Sequence, residues 1–125
     1  MKKLALLLVV AAAFAADDGF AKWWQRFQAA VAKGNADAVV ERAEFPMDWE
    51  YGATRKIPAP AVLVGKFDYY FTEEIKQAIA TRKPERVPAG VYMITWKARG
   101  NEYSMYFKPV GSGSFALQGL SEGAP

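Results

Sequence analysis

From Ile94 to Leu117 apolar and polar side chains alternate along the chain, interrupted where glycines cluster. Successive side chains of a strand point to opposite sides, so a period of two restricts this third of the chain to strands with one buried face. Gly100-Asn101 reads as the centre of a two-residue type II′ turn. That turn pairs Arg99 with Glu102 and sets Ala98 opposite Tyr103, Trp96 opposite Met105 and Ile94 opposite Phe107 on an apolar face. Lys97 then meets Ser104, and Thr95 meets Tyr106, on the polar face. A slip of one residue would mix the two sets. Gly111-Ser112-Gly113 closes a second, three-residue loop that brings Phe115 to Pro109 and Leu117 to Phe107. The expected product is a three-stranded meander.

Upstream the period changes. Phe20, Trp23, Trp24, Phe27 and Val31 fall on one helical stripe between Asp17 and Lys33, with Asp17 or Asp18 at the start and Gly34 as the stop. Asn35 is placed to cap a shorter helix running to Arg42. Phe45, Met47, Trp49 and Tyr51 then alternate with Glu44, Pro46, Asp48 and Glu50, which predicts a strand with an acidic outer face. Pro46 lacks an N–H, so that strand belongs at an edge or carries a bulge. Residues 52–60 read as a loop. A helical stripe returns over 61–80, with a break expected near Phe71 because Thr72-Glu73-Glu74 has the chemistry of a fresh helix start.

The first residues read differently. Lys2-Lys3, an apolar run from Leu4 to Ala13 and the small-residue pattern Ala13-Phe14-Ala15 predict a cleaved secretory leader over 1–15. The run is about half of the roughly 20 residues a membrane span needs. The predicted organisation is therefore leader 1–15, one domain over 16–120 and a frayed tail over 121–125, in a periplasmic or secreted protein. Losing Lys2 and Lys3 takes the formal charge from +3 to about +1, and the remaining cations are scattered among acids, so nucleic acid is not an expected partner. The densest group, Arg82-Lys83 with Arg86, reads as a solvated loop.

Cysteine and histidine are both absent. That excludes disulfides, thiol nucleophiles, thiolate or imidazole metal sites and Ser-His-Asp chemistry. No cofactor is expected. Four tryptophans, six tyrosines and eight phenylalanines remain to build the core, and only Phe14 falls in the leader. Buried rings remove about 150–250 Å² each from water, which makes a small domain without disulfides feasible.

The order of elements resembles the cone-shaped domains of the nuclear transport factor two-like superfamily, particularly its small exported bacterial members. The resemblance spans nearly all of the mature chain. Its carriers are Trp24-Gln25-Arg26-Phe27-Gln28-Ala29-Ala30-Val31 ahead of Gly34, Phe45-Pro46, the segment Phe67-Asp68-Tyr69-Tyr70-Phe71-Thr72 and the final strands. It implies an α+β fold, with N-terminal helices packed on a curved antiparallel sheet that ends in the meander. It also implies a pocket between helices and sheet, used by some members for isomerase, dehydratase or cyclase chemistry and by others for binding, and it leaves pairing of two copies through the sheet open.

With no histidine, only a carboxylate-plus-tyrosine version of that chemistry is available. Its candidates are Asp68 beside Tyr69 and Tyr70, and Asp48 beside Trp49. Against them, alternation points Asp48 away from the apolar face, and Asp68 lies beside the helical stripe. Glu44, Asp48 and Glu50 stand about 7 Å apart at strand spacing, too loose for a calcium cage, so no metal site is expected. Trp49, Trp96, Tyr103, Met105 and Phe107 are the candidates to line a cavity for a small apolar ligand, with ordinary core packing as the plainer alternative. Tyr106, an aromatic ring on the polar face, marks a candidate partner surface. The favoured expectation is an exported binding domain for a small apolar ligand or an envelope protein. An enzyme using Asp68 or Asp48, and an inhibitor or immunity-type protein acting through residues 52–60 or 82–88, are the alternatives.

Overall fold

The computed structural model describes residues 18–124, so the expected leader at 1–15 lies outside the described residues. The aromatic stripe folds as helix α1 (Phe20–Ala32) and buries all five of its large apolar residues. The helix begins after Asp18, whose Oδ1 accepts the Phe20 N–H at 3.0 Å, with Gly19 between them in the left-handed region. Gly34 ends it, and Asn35 caps α2 (Ala36–Val40) by accepting the Ala38 N–H at 3.1 Å.

Strand β1 (Ala43–Tyr51) buries Met47 and Trp49 and exposes Glu44 and Asp48, as alternation predicts. Residues 52–60 are not simply a loop: the chain turns at Gly52 and returns as β2 (Thr54–Ile57), antiparallel to β1. A single alternating apolar position, Ile57, was too short a pattern to announce a strand, yet it is fully buried opposite Met47. The next stretch divides into α3 (Pro60–Gly65), α4 (Phe67–Tyr70) and α5 (Glu73–Thr81). The break falls at Phe71, and Thr72 Oγ1 accepts the Ile75 N–H at the start of α5. The remaining elements are β3 (Glu85–Arg86), a 3-10 turn at Pro88–Gly90, β4 (Tyr92–Ala98), β5 (Asn101–Gly111) and β6 (Ser114–Gly123).

These strands form one six-stranded open sheet in the order β2-β1-β6-β5-β4-β3. Helices pack on one face, and β4-β5-β6 is the expected meander. The sheet is mixed, not wholly antiparallel, because β1 lies parallel to β6. Local alternation fixes which face of a strand is buried and carries no information about the direction in which it docks. Pro46 falls where the β1–β6 ladder is interrupted, between the Ala43 and Asp48 pairs, so its missing N–H breaks no ladder. The outermost strands are short, four residues in β2 and two in β3.

The first hairpin turns at Arg99-Gly100, one residue earlier than the Gly100-Asn101 turn read from sequence. Both residues have positive φ, 53° and 78°, the signature of a type I′ turn. Ala98 therefore faces Asn101, Trp96 faces Tyr103, Ile94 faces Met105 and Met93 faces Tyr106. Every expected pair slides by two residues, and because two is the side-chain period, each residue keeps its face. In the second hairpin Phe115 meets Pro109 and Leu117 meets Phe107, as expected, although Gly111 pairs with Ser114 and the turn is Ser112-Gly113.

Strand β6 carries a bulge at Gln118: Phe107 pairs with Leu117 while its neighbour Tyr106 pairs with Gly119. The extra residue turns Leu117 and Leu120 to the same interior. Beyond it the strand continues through Gly123, so residues 121–123 belong to the sheet and the stretch expected as a tail over 121–125 begins inside β6. Glu122 holds them, its Oε2 accepting the Tyr103 hydroxyl at 2.8 Å and its N–H donating to Glu50 Oε1 at 3.0 Å.

The interior between helices and sheet is filled mainly by rings. Trp24, Phe27, Trp23 and Phe20 surround Phe107 with ring centroids 5.1, 5.4, 5.7 and 6.2 Å away. At the other end Trp49 stacks on Phe71 and Phe71 on Phe67. The Trp49 indole donates to the Tyr70 carbonyl at 3.1 Å, so its polar edge is satisfied without water. Gln28, reaching from α1 to the Ile79 carbonyl at 2.9 Å, ties the two longest helices together.

Candidate functional site

Trp49, Trp96, Tyr103, Met105 and Phe107, the candidates to line a ligand cavity, lie in packed core, the plainer of the two readings, with no more than 5% of any of them exposed. None borders the four clefts described on the surface of residues 18–124. These side chains belong to one cluster with Phe27 of α1, Phe67 of α4 and Ile75 and Ile79 of α5. Asp68 lies on the outer surface of α4, paired with Lys76 Nζ at 2.9 Å, and Tyr69 beside it is 61% exposed. Asp48 is also on the surface, 3.3 Å from Lys56 Nζ. The structure brings neither acid into an enclosed space, and the two stand on different elements. Among the described residues no group of three or more acids is placed to hold a metal ion.

One cluster that sequence reading missed does gather charge and aromatic chemistry. Glu74, in the first turn of α5, accepts the Tyr51 hydroxyl at 3.0 Å and the Trp96 indole N–H at 2.7 Å, and is bridged by both guanidinium nitrogens of Arg99. Arg99 also donates to the Tyr103 hydroxyl at 3.1 Å and lies over the Tyr51 and Tyr103 rings. Partial burial pushes the Glu74 carboxyl upward, but the hydrogen bonds from Arg99, Trp96 and Tyr51 and the Arg99 charge outweigh it and hold it below the usual range. Glu74 is thus a fixed acceptor that clamps α5 onto the β4–β5 hairpin and holds Arg99 in its left-handed turn conformation. Nothing in the sequence joins residues 25 positions apart. The only local signal was Glu74's place behind the Thr72 cap.

Glu74→Ala is expected to destabilise the fold by about 1–3 kcal/mol, because the Trp96 indole and Tyr51 hydroxyl lose their acceptor. A carboxyl whose folded pKa is depressed contributes stability above its unfolded pKa and loses it as pH falls through the folded value. Glu74→Gln should therefore flatten the acid side of the stability profile. Urea midpoints across an acidic pH series measure this, and identical acid slopes in Glu74→Gln and the parent would refute the clamp.

The second feature lies on the sheet face that the helices leave bare. Gly119 pairs laterally with Asp48 on β1 and with Tyr106 on β5, and Met93 on β4 completes the row. A row reading acid, glycine, phenol, thioether has a notch at its second position. The notch opens into a groove of about 400 Å³. Asp48 and Glu50 line it from the β1 side, while Tyr106 and the Val87, Pro88 and Val91 segment before β4 form an apolar wall opposite. Tyr106, singled out in the sequence, is thus part of this surface, although its neighbours are Met93 and Gly119 and not Thr95. Gly119 is glycine for a steric reason, since a Cβ there would stand 2.7 Å from the Asp48 carbonyl oxygen.

These features define an open-sheet α+β domain with an aromatic-rich core and a grooved outer face. Comparison of the chain with protein-family models, with curated proteins and with solved structures finds no match.

Proposed function

We propose that the protein is an exported binding domain that engages an envelope protein through the bare face of its sheet. The reading is carried by the groove beside Gly119, where carboxylates and apolar side chains confront each other across a gap one side chain wide. A lysine or arginine fits that gap chemically. Its methylene stem would lie against Tyr106 and its charge would reach Asp48 and Glu50, so the occupant is a segment of partner protein that carries a basic residue. Export is supported by Lys2-Lys3, the apolar run behind them and Ala13-Phe14-Ala15. Membership of the nuclear transport factor two-like superfamily belongs to the same proposal, supported by helices laid over a sheet that ends in a meander.

A photo-reactive amino acid at Gln118, which is exposed and borders the groove, tests the contact in cells producing the full chain. The expected adduct joins this protein to a different one, at a segment with a lysine or arginine, and disappears in Asp48→Lys and Tyr106→Ser variants that melt like the parent. An adduct of two copies of this chain, an adduct indifferent to both substitutions, or none at all overturns the reading.

A further inference from the structure

A second cleft, sharing no residue with the sheet groove, lies where the start of α1, the α2–β1 corner and the β5–β6 turn meet. Its volume is about 720 Å³. Two glycines create it. Gly19, in the left-handed region, sits so close to the hairpin that a Cβ would stand 2.9 Å from the Gly113 Cα. That contact pins the helix start against the turn, and Trp23 and Phe115 form the apolar base below.

The walls are cationic. Lys22 and Arg26 lie one helical turn apart on α1, Arg42 enters from the corner, and Glu41 is the single acid. Most cations on the sheet and on α5 answer a carboxylate: Lys56 faces Asp48, Lys76 faces Asp68 and Lys108 faces Glu44. In contrast, Lys22 and Arg26 make no ion pair or side-chain hydrogen bond among the described residues, and Arg42 has only the Ala38 carbonyl at 3.0 Å and Glu41 at 3.9 Å. Three positive groups converging on one concavity repel each other unless an anion or solvent stands between them. Guanidinium forks match the paired oxygens of a phosphoryl group, and the lysine adds a point charge.

From this convergence we infer that the cleft binds a phosphoryl-bearing ligand. Two sources share that chemistry, the headgroup of an anionic phospholipid and a soluble phosphorylated metabolite. Inorganic pyrophosphate, titrated into the 15N-labelled protein, is the first probe. Saturable shifts are expected at the amides of Lys22, Arg26, Arg42, Gly113 and Ser114. They should vanish in the Lys22→Gln/Arg26→Gln double variant and survive in Lys66→Gln/Lys97→Gln, which removes the same charge elsewhere. All four side chains are exposed, Lys22 and Arg26 on α1, Lys97 on β4 and Lys66 in the turn between α3 and α4, and amide spectra of the variants verify that the fold is kept. Sedimentation with phosphatidylglycerol vesicles, against phosphatidylcholine vesicles, then separates the sources. Pelleting that depends on Lys22 and Arg26 assigns a lipid headgroup, and pyrophosphate shifts without pelleting assign a soluble ligand. Absence of saturable shifts, or shifts retained by the Lys22→Gln/Arg26→Gln variant, overturns the site.

Discussion

Phe107→Ala should cost about 3–5 kcal/mol of folding stability, the range for truncating a fully buried ring. Phe107 is wholly buried and touches Phe20, Trp23, Trp24 and Phe27, so one side chain joins α1 to the centre of the meander. Stacked and edge-on rings are rigid and do not close well around a vacated phenyl volume, which places the loss toward the upper end of the range. Domains of this size are stable by about 5–15 kcal/mol, so the variant should lose much of its margin. Urea denaturation followed by tryptophan fluorescence reads the change, with Phe107→Leu expected to lose clearly less. A Phe107→Ala midpoint close to that of the parent would show that α1 is not held by this contact.

Gly119→Val should be of comparable size, at about 3 kcal/mol or more, for a different reason. The new Cβ meets the Asp48 carbonyl oxygen at 2.7 Å, and the obstructing atom is backbone of the neighbouring strand, which no rotamer change removes. Strands β1 and β6 would have to part. Since β2 joins the sheet only through β1, their separation loosens the whole β1–β2 side while the β4–β5 ladder persists. Hydrogen exchange distinguishes this from global weakening: amides of Met47 to Tyr51 and Thr54 to Ile57 should lose protection more than those of Ile94 to Lys97. Equal loss throughout, or none, would contradict the steric account.

Which face each residue occupies was legible in the sequence, and which residue it meets was legible only in part. Ile94, Trp96, Tyr103, Met105 and Phe107 are all buried, as their alternation required. Their register in the first hairpin is off by two, because patterning is blind to any even slip and Arg99 accepted a positive φ that favours glycine. The helix starts at Asn35 and Thr72 were legible because capping is local chemistry. The Gln118 bulge was not, since it answers to a contact between β6 and β1, strands about 70 positions apart. The same limit applies to the groove. Tyr106 stood out by itself, but its acidic opposite wall arrives through the parallel β1–β6 pairing, and no local pattern encodes that.

The lengths of the two outermost strands also shape how the molecule behaves at high concentration. A sheet grows by accepting foreign strands along unpaired backbone, and its two outermost strands here are four and two residues long. The shorter, β3, pairs only with Tyr92 and Met93, so Ile94 to Ala98 of β4 turn their outer backbone to no strand among the described residues. A foreign strand joining this sheet would find its opening there, beside the exposed charge of Lys97 that opposes such addition.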